Sequence, residues 1–320
     1  DRQTDRQTDR QTVIITGSTG FIGSWLVLEF LEADYDVVVI VRNKEKLIPE
    51  IKEDKRVKII QKDLSLIQLS DFEFDRNYKA FIHLAWEGVA PDKKNDIGLQ
   101  LKNISISLHS IEIAKKLFCE RFLASGTVAE YVLCTDVMDF KMRQTPNDLY
   151  GAAKVSNHYF LEVRAKQLEQ PFNWCVIPST YGERRIDSNI VTYTITSLLK
   201  EQRPLYGELT QMWDFLYVKD VVHAIRLIIE KGKTEVVYGI GSGVYRPLRE
   251  YIEIIRNVIN PNLPIGIGEL EYLTTTTFSS CVNNYELVKD TGFQPSISFE
   301  EGINKTVEYF KKMLLDKGEM

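Results

Sequence analysis

The sequence predicts an α/β fold in which a doubly wound parallel sheet is joined to a smaller, interleaved α+β unit. Short apolar, β-branched runs alternate with helix-length stretches up to residue 177, which is the pattern of parallel strands joined by crossover helices. Glycines at positions 17, 20 and 23 follow the first run, as a turn between strand and helix requires. After residue 177 the pattern becomes irregular, which indicates a second unit.

The strands and helices follow in order along the chain. We predict strands over residues 13–15, 37–41, 57–60, 80–84, 121–124, 174–177, 215–218 and 236–240, and helices over residues 25–31, 99–117, 152–168, 190–200, 221–231, 248–258 and 299–314. The first unit is expected to comprise residues 13–178 with about 214–242. The second is expected over residues 179–213 and 243–320. Ligands of doubly wound sheets bind at the carboxyl ends of the strands.

The composition excludes several classes of protein. The 320 residues are 44% hydrophobic and 27% charged, which is typical of a folded globular chain. The net charge of -5 argues against binding to nucleic acid, whose backbone requires basic side chains. The four cysteines form no CxxC pair, so we expect no disulfide framework, no metal site and a reducing compartment. No apolar run reaches the roughly 18 residues of a membrane span, which predicts a cytoplasmic protein without membrane contact.

The chain begins with three copies of the tetrapeptide Asp-Arg-Gln-Thr. This segment is neutral overall and has no apolar period, so we expect it to stay out of the core. We interpret residues 1–12 as a tag or a disordered arm, with a functional charged repeat as the alternative.

The glycine turn reads TGSTGFIG from Thr16 to Gly23. Glycines let the backbone approach a pyrophosphate closely, and the amino end of the following helix supplies free N–H donors. A simple tight turn is the alternative, because three spaced glycines can form one without a ligand. The spacing is GxxGxxG and not GxGxxG. Its place after the first strand of a βαβ unit favours a nucleotide site.

Arg42 stands at the end of the second predicted strand, where an acidic residue would bind the adenosine ribose. An arginine pairs with a 2′-phosphate instead, which favours NADP(H) over NAD(H). An exposed arginine is the alternative. Asp63, just after the third strand, is a candidate acceptor for the adenine amino group, or a solvated turn residue.

Tyr150 and Lys154 lie one helical turn apart on the same face. A second pair with this spacing, Tyr285 and Lys289, lies in the irregular tail and is interpreted as structural. The first pair follows Thr127, which ends a strand at the edge where the cofactor should bind. Its position therefore favours a catalytic site.

In this order the motifs resemble those of the extended short-chain dehydrogenase/reductases, the superfamily of nucleotide-sugar epimerases, dehydratases and reductases. The resemblance runs from Val13 to about Phe310 and includes, besides the segments above, Leu64, His83-Leu84-Ala85, Asn103, Tyr131, Tyr181-Gly182, Asp214 to Val218, Asp220 and Thr291 to Pro295.

The resemblance implies a Rossmann domain that binds the dinucleotide and a second domain that binds the substrate. It assigns proton transfer to Tyr150, hydrogen bonding of the reacting oxygen to Thr127 and the nicotinamide ribose to Lys154. The implied cofactor contacts are Gly17, Thr19, Gly20, Phe21, Ile22, Gly23, Arg42, Asp63, Leu64, Leu84, Ala85, Trp86, Asn103, Tyr150 and Lys154. The implied substrate contacts are Trp86, Thr127, Ser179, Thr180, Asn189 and Trp213. A homodimer through helices 99–117 and 152–168 is also implied.

The chemistry of the Tyr150–Lys154 pair agrees with this assignment. A phenol has a reference pKa near 10, and lowering it by about 3 units requires about 4 kcal/mol. We expect the ammonium of Lys154 and an oxidised nicotinamide to supply this stabilisation. His83 is expected to pack and bond locally rather than act as an acid.

The residues after Thr127 bear on the reaction. By resemblance, dehydratases carry an Asp-Glu pair there, whereas this chain has Val128 and Ala129, which cannot transfer protons. Glu130 is one position late and is not expected to substitute. Segments 126–131 and 213–218 are similar to those of reductases acting on nucleotide-linked 4-keto-6-deoxyhexoses, so we predict an NADPH-dependent reductase of such a sugar. An NAD-dependent C4 epimerase and a non-catalytic NADP-sensing protein are the alternatives.

One position departs from the family pattern. Relatives carry an arginine that grips the substrate diphosphate where this chain has Trp213. Either Trp213 stacks on the substrate, or another arginine takes over the phosphate contact; the candidates are Arg184, Arg185, Arg203 and Arg246. Trp86 is expected either to line the sugar pocket or to pack in the core.

Overall fold

The computed structural model of the protein describes residues 10–271 and 278–320. Seven parallel strands form the central sheet: β1 (Thr12–Thr16), β2 (Asp36–Val41), β3 (Val57–Gln61), β4 (Tyr78–His83), β5 (Phe122–Thr127), β7 (Phe172–Ile177) and β11 (Val237–Gly239). Their spatial order is β11-β7-β5-β4-β1-β2-β3, so the winding direction reverses between β1 and β4. A ligand cleft is expected at that reversal.

Helices cover both faces of the sheet. They are α1 (Phe21–Glu32), α2 (Pro49–Lys52), α3 (Ile97–Lys116), α4 (Leu149–Leu168), α5 (Ile190–Leu199), α6 (Val218–Lys231), α7 (Leu248–Ile259), α8 (Tyr285–Thr291) and α9 (Phe299–Asp316). Helices α1 and α6 pack together on one face, and α3 and α4 on the other. Short 3-10 turns span Lys44–Lys46, Leu64–Leu66, Leu69–Asp71 and Val128–Tyr131.

The central strands are buried on both faces. In β1, Val13 and Ile15 join the core beneath α1 and α6, whereas Ile14 joins the core beneath α3 and α4. Strand β2 divides its side chains between the same two cores. This two-sided burial is why these strands read as continuous apolar runs without polar alternation.

A second group of elements packs around the carboxyl edge of the sheet. Strand β8 (Ser179–Tyr181) pairs in parallel with β10 (Phe215–Tyr217), β9 (Met212–Trp213) pairs antiparallel with β12 (Arg246–Pro247), and β6 (Val137–Met138) pairs in parallel with β13 (Cys281–Val282). Helices α5, α7 and α9 contribute Ile195, Ile252 and Ile303 to a separate core. The doubly wound sheet is as predicted, while the division at residues 178, 213 and 242 stays a prediction.

The start of the chain differs from the prediction. Strand β1 begins at Thr12, inside the segment interpreted as a tag, and Thr12 is buried. The guanidinium of Arg10 donates to Asp36 at 3.1 Å, and the backbone of Gln11 accepts from the N–H of Asp36 at 3.0 Å. These contacts extend the pairing of β1 with β2 past the apolar run, so the expectation that the segment stays out of the core is wrong at Thr12. Residues 1–9 lie outside the described part.

The tail is also more regular than predicted, since Tyr285 opens the short helix α8.

None of the helices in the described ranges combines the length and the apolarity needed to cross a membrane.

Candidate active site

The glycine turn forms a cradle at the carboxyl end of β1. Gly17 has a φ of +78°, which favours glycine, and a Cβ on Gly23 would lie 1.9 Å from the carbonyl oxygen of Gly17. Helix α1 begins at Phe21 without a side-chain cap, so its first N–H groups are left for a ligand. The close approach and the free donors fit the pyrophosphate of a dinucleotide.

A buried polar network fixes the strand ends beside this cradle. The hydroxyl of Thr16 accepts from the N–H groups of Leu84 and Ala85, each at 3.1 Å, and lies 2.8 Å from Nδ1 of His83. Because the hydroxyl accepts twice, it donates its proton to Nδ1, and Nε2–H donates to Ser107 at 3.1 Å. Burial lowers the pKa of His83 to about 3. His83 is therefore a neutral structural residue.

The cofactor cavity, about 270 Å³ in volume, extends from the cradle toward the ends of β2 and β3. The predicted cofactor residues that line it are Gly17, Thr19, Gly20, Arg42, Asp63, Leu64, Leu84, Ala85, Trp86 and Asn103. Asp63 uses one carboxylate oxygen to accept from the backbone and hydroxyl of Ser65, which lowers its pKa.

Arg42 forms an ion pair with Glu87 at 2.7 Å, and both side chains are substantially exposed. Asn103 fixes the backbone of Glu87, accepting from its N–H at 3.0 Å and donating to its carbonyl at 2.8 Å. Lys62 lines the same cavity. Glu87 and Lys62 were not predicted from the sequence, although both closely follow strands of the sheet.

The second cavity, about 590 Å³ in volume, contains the predicted catalytic residues and is called the reaction cavity here. Thr127 ends β5, and Tyr150 lies in the first turn of α4, whose start Asp148 caps by accepting from Gly151 at 2.7 Å. Lys154 donates to the carbonyl of Ser125 at 2.9 Å. Phe21, Ile22, Gly23, Trp86, Ser179 and Thr180 also line this cavity.

Burial dominates the charge states of the Tyr150–Lys154 pair. It lowers the pKa of Lys154 to about 8, an effect opposed by the negative charge of Glu130. It raises the pKa of Tyr150, opposed by the Thr127 hydroxyl. Desolvation is therefore the largest effect on Tyr150 in the chain itself, and the lowering of its pKa by Lys154 together with an oxidised nicotinamide stays a prediction. Tyr150 stays protonated at neutral pH, as a proton donor must.

Trp86 lines both cavities. Its ring lies 4.1 Å from Nζ of Lys154 and 6.3 Å from the ring of Tyr150. The indole N–H donates to Gln100 at 2.9 Å. Trp86 thus forms a wall of the reaction cavity and a cation–π contact with Lys154.

On the substrate side, two predicted contacts lie outside the lining of the reaction cavity. Asn189 caps α5 by accepting from Val191 and Thr192, each at 3.0 Å, and its contact with the substrate stays a prediction. The indole N–H of Trp213 donates to Ser179 at 3.0 Å, behind the lining.

Of the four candidate arginines, only Arg185 lines the reaction cavity. It donates to the carbonyl of Thr180 and pairs with Asp187 at 3.1 Å. Arg184 stacks on Trp25 at 3.7 Å. The other two pair with acidic side chains away from the cavity, Arg203 with Glu269 and Arg246 with Glu300. Asp187 also lines the cavity and carried no sequence signal, since it lies in the irregular region.

The four cysteines are buried and free. Over residues 10–271 and 278–320, no group of three or more histidine, cysteine or acidic side chains is arranged to hold a metal ion.

Comparison with known proteins identifies the family. The family described as "NAD dependent epimerase/dehydratase family" matches residues 13–241. The chain belongs to this family. As the motifs predict, this is a family of extended short-chain dehydrogenase/reductases.

Three relatives illustrate the range of the family. The dTDP-4-dehydro-6-deoxyglucose reductase of Escherichia coli is 24% identical over 308 residues, covering 92% of this chain and 96% of the relative. A putative UDP-glucose 4-epimerase of Methanocaldococcus jannaschii is 26% identical over 310 residues, covering 93% and 98%. The structure of UDP-glucuronic acid 4-epimerase from Bacillus cereus with UDP-glucuronic acid and NAD superimposes with a TM-score of 0.83 at 21% identity, covering 95% and 100%.

Proposed function

We propose that the protein is an NADPH-dependent reductase that converts a nucleotide-linked 4-keto-6-deoxyhexose to the corresponding deoxysugar. The observation that carries this proposal is the convergence of Thr127, Tyr150 and Lys154 on one cavity next to the glycine cradle. The similarity to a dTDP-4-dehydro-6-deoxyglucose reductase over nearly the whole chain supports the same substrate class.

In this mechanism, the nicotinamide supplies a hydride when it is bound. The hydroxyl of Tyr150 gives its proton to the ketone oxygen, and the hydroxyl of Thr127 donates a hydrogen bond to the same atom. Lys154, held by the Ser125 carbonyl, would hold the nicotinamide ribose. Its positive charge also stabilises the phenolate that Tyr150 becomes.

The lining of the reaction cavity favours reduction over dehydration. Val128 lines the cavity directly after Thr127, whereas Glu130 is fully buried behind it. Eliminating water requires a further acid and base at the sugar, and an apolar side chain supplies neither.

The charges of the cofactor cavity support NADP(H). Arg42 and Lys62 line the side of the cavity where the adenosine ribose would lie, and a 2′-phosphate would gain charge-assisted hydrogen bonds there. Glu87 opposes this preference, because the phosphate must replace its carboxylate as the partner of Arg42.

An assay of NADPH oxidation with dTDP-4-dehydro-6-deoxyglucose, followed at the nicotinamide absorbance, tests the proposal. We expect turnover with this or another nucleoside-diphosphate ketosugar, and a loss of about 10³-fold in kcat for Tyr150→Phe with NADPH affinity nearly unchanged. Turnover unaffected by Tyr150→Phe would contradict the catalytic role, and NADPH binding without any turnover would favour a sensing protein.

A C4 epimerase of nucleotide sugars is the second candidate, supported by the solved relative that binds NAD and by the Glu87 carboxylate beside Arg42. Epimerisation leaves no net change in the cofactor. Interconversion of UDP-sugars without added NADPH would therefore favour it.

We also propose that the protein forms a homodimer through α3 and α4. Tyr159, Phe160 and Val163 are each about half exposed on α4, at 51%, 53% and 55%, and line a groove with Leu108 of α3. Sedimentation equilibrium tests this; a monomer at micromolar concentration would contradict it.

A further inference from the structure

Glu130 is a buried carboxylate directly behind the reacting groups. Its side chain is fully inaccessible to solvent, and Oε2 accepts from the backbone N–H of Thr127 at 2.8 Å. Oε1 is also buried and has no hydrogen-bond partner in the described part of the chain. The indole N–H of Trp174 acts on the same carboxylate as a weak donor, so this buried group has one short hydrogen bond and one weak one.

The surrounding backbone is shaped to admit this carboxylate. A Cβ on Gly126 would lie 2.5 Å from Oε2 of Glu130 and 2.3 Å from Nε1 of Trp174. The hydroxyl of Thr127 accepts from the N–H of Ala129 at 3.2 Å, which completes a capping box with Glu130. The backbone carbonyl of Glu130 is itself held by the N–H of Thr145 at 2.8 Å. Glu130 therefore fixes the turn that carries Thr127.

The groups that act electrostatically on Glu130 come from two neighbouring elements and from its own turn. Lys154 and Tyr150 belong to α4, Trp174 and Cys175 to β7, and Tyr131 follows Glu130 directly. Burial raises the pKa of Glu130 to about 7, opposed first by the backbone N–H of Thr127 and then by the positive charge of Lys154. Lys154 donates to the carbonyl of Ser125, the residue before Gly126, and Oε2 of Glu130 packs against Gly126. In return, the negative charge of Glu130 raises the pKa of both Lys154 and Tyr150.

We propose that Glu130 is a positioning residue that holds Thr127 through its backbone and keeps Tyr150 and Lys154 protonated through its buried charge. This inference rests on the proposed reductase function, because reduction is the direction in which Tyr150 must start with its proton. Glu130 does not contact the reaction cavity, so it acts through these neighbours.

Glu130→Gln tests the inference, because glutamine keeps the acceptor for Thr127 and removes the charge. Asp220→Asn is the matched control: Asp220 is also buried, accepts from a backbone N–H (Ser296, 2.9 Å) and has one unpartnered oxygen, but it lies in α6. The titration of Lys154 is followed without substrate, by NMR of ¹³C-lysine-labelled protein with the signal assigned through Lys154→Met.

We expect the midpoint of Lys154 to move down by roughly one pH unit in Glu130→Gln and to stay in place in Asp220→Asn. An unchanged midpoint in Glu130→Gln would overturn the proposal. A second measurement needs no variant at position 130: in the unaltered protein, the Lys154 signal should also respond to a neighbour that ionises near pH 7. A single-step titration curve would overturn the proposal as well.

Kinetics separates this inference from the proposed function. In Glu130→Gln, the alkaline limb of the kcat/KM profile for NADPH-dependent reduction should shift to lower pH, whereas Asp220→Asn should keep the profile of the unaltered protein. A lower rate with an unshifted profile would indicate a merely structural role. Absence of ketosugar reduction in the unaltered protein would refute the reductase, while the Lys154 midpoint would still decide the electrostatic role of Glu130.

Discussion

The cofactor side and the substrate side of the cleft are built differently. Near the glycine cradle, the polar groups of Thr16, His83 and Ser107 are buried and bonded to one another. On the substrate side, Arg185 and Asp187 pair with each other while partly or largely exposed, and Trp213 is only partly buried. The cofactor side is therefore fixed before any ligand binds. On the substrate side, water can form hydrogen bonds with the side chains when they move.

The fixed cofactor side suits a ligand that stays the same, and the exposed substrate side suits a ligand that varies. A buried hydroxyl with three hydrogen-bond partners can be replaced by few other side chains, because each partner left without a hydrogen bond costs about 1–3 kcal/mol of stability. An exposed ion pair contributes roughly 0–1 kcal/mol and can be exchanged with little effect on the fold. The family can therefore keep its cofactor geometry while its substrates change.

The largest expected effect is a loss of folding stability in acid that arises on the cofactor side. The pKa of His83 is depressed to about 3 in the folded chain. The contribution of the neutral imidazole to the free energy of unfolding is therefore fully present above pH 6.5 and is lost as the pH falls toward 3. We expect this residue to account for a loss of about 4 kcal/mol over that window, measured by urea unfolding. His83→Asn should flatten the pH dependence of the free energy of unfolding. An equally steep loss of stability in the variant would show that His83 is not its source.

The next effect compares two buried threonines. Thr16→Val leaves two backbone N–H groups and His83 without their partner and should lower the free energy of unfolding by about 3 kcal/mol. Thr180→Val is the matched change on the substrate side, where the hydroxyl donates only to Pro178, and should cost about 1 kcal/mol. Equal losses in urea unfolding would show that the two sides do not differ in this way.

A smaller effect is expected at the exposed rim of the cofactor cavity. Arg42→Ala should weaken NADPH binding by about 10- to 100-fold and leave NADH affinity nearly unchanged, because only the 2′-phosphate loses a partner. Glu87→Gln is the complementary variant and should tighten NADPH binding. Titration calorimetry checks both; equal weakening of NADPH and NADH by Arg42→Ala would refute the preference for NADP(H).

The smallest effect is expected from Ser179→Ala, which removes the partner of the Trp213 indole. Water can replace this hydroxyl, so we expect a change of less than about 1 kcal/mol in stability and less than about tenfold in KM for the ketosugar. A stability loss as large as that of Thr16→Val would show that the substrate side is also fixed by buried bonds.

The two sides also differ in how well the sequence predicts them. The sheet and the cradle follow from local patterns, since apolar runs and glycine spacing are contiguous in the chain. The substrate side is harder to predict: the side chain of Asn189 is suited both to a ligand and to a helix cap, and only the structure shows that it makes the capping bonds. The pKa of Tyr150 could not be predicted because burial, the dominant cause of its shift, is not a property of sequence spacing. Glu87 was not singled out because its partner, Arg42, follows a different strand.

The position of Trp86 gives the protein an optical reporter of its own. Its indole borders both cavities and contacts Lys154 of the reaction cavity. Its fluorescence should therefore change with either ligand, and the order in which dinucleotide and sugar arrive becomes readable without a label.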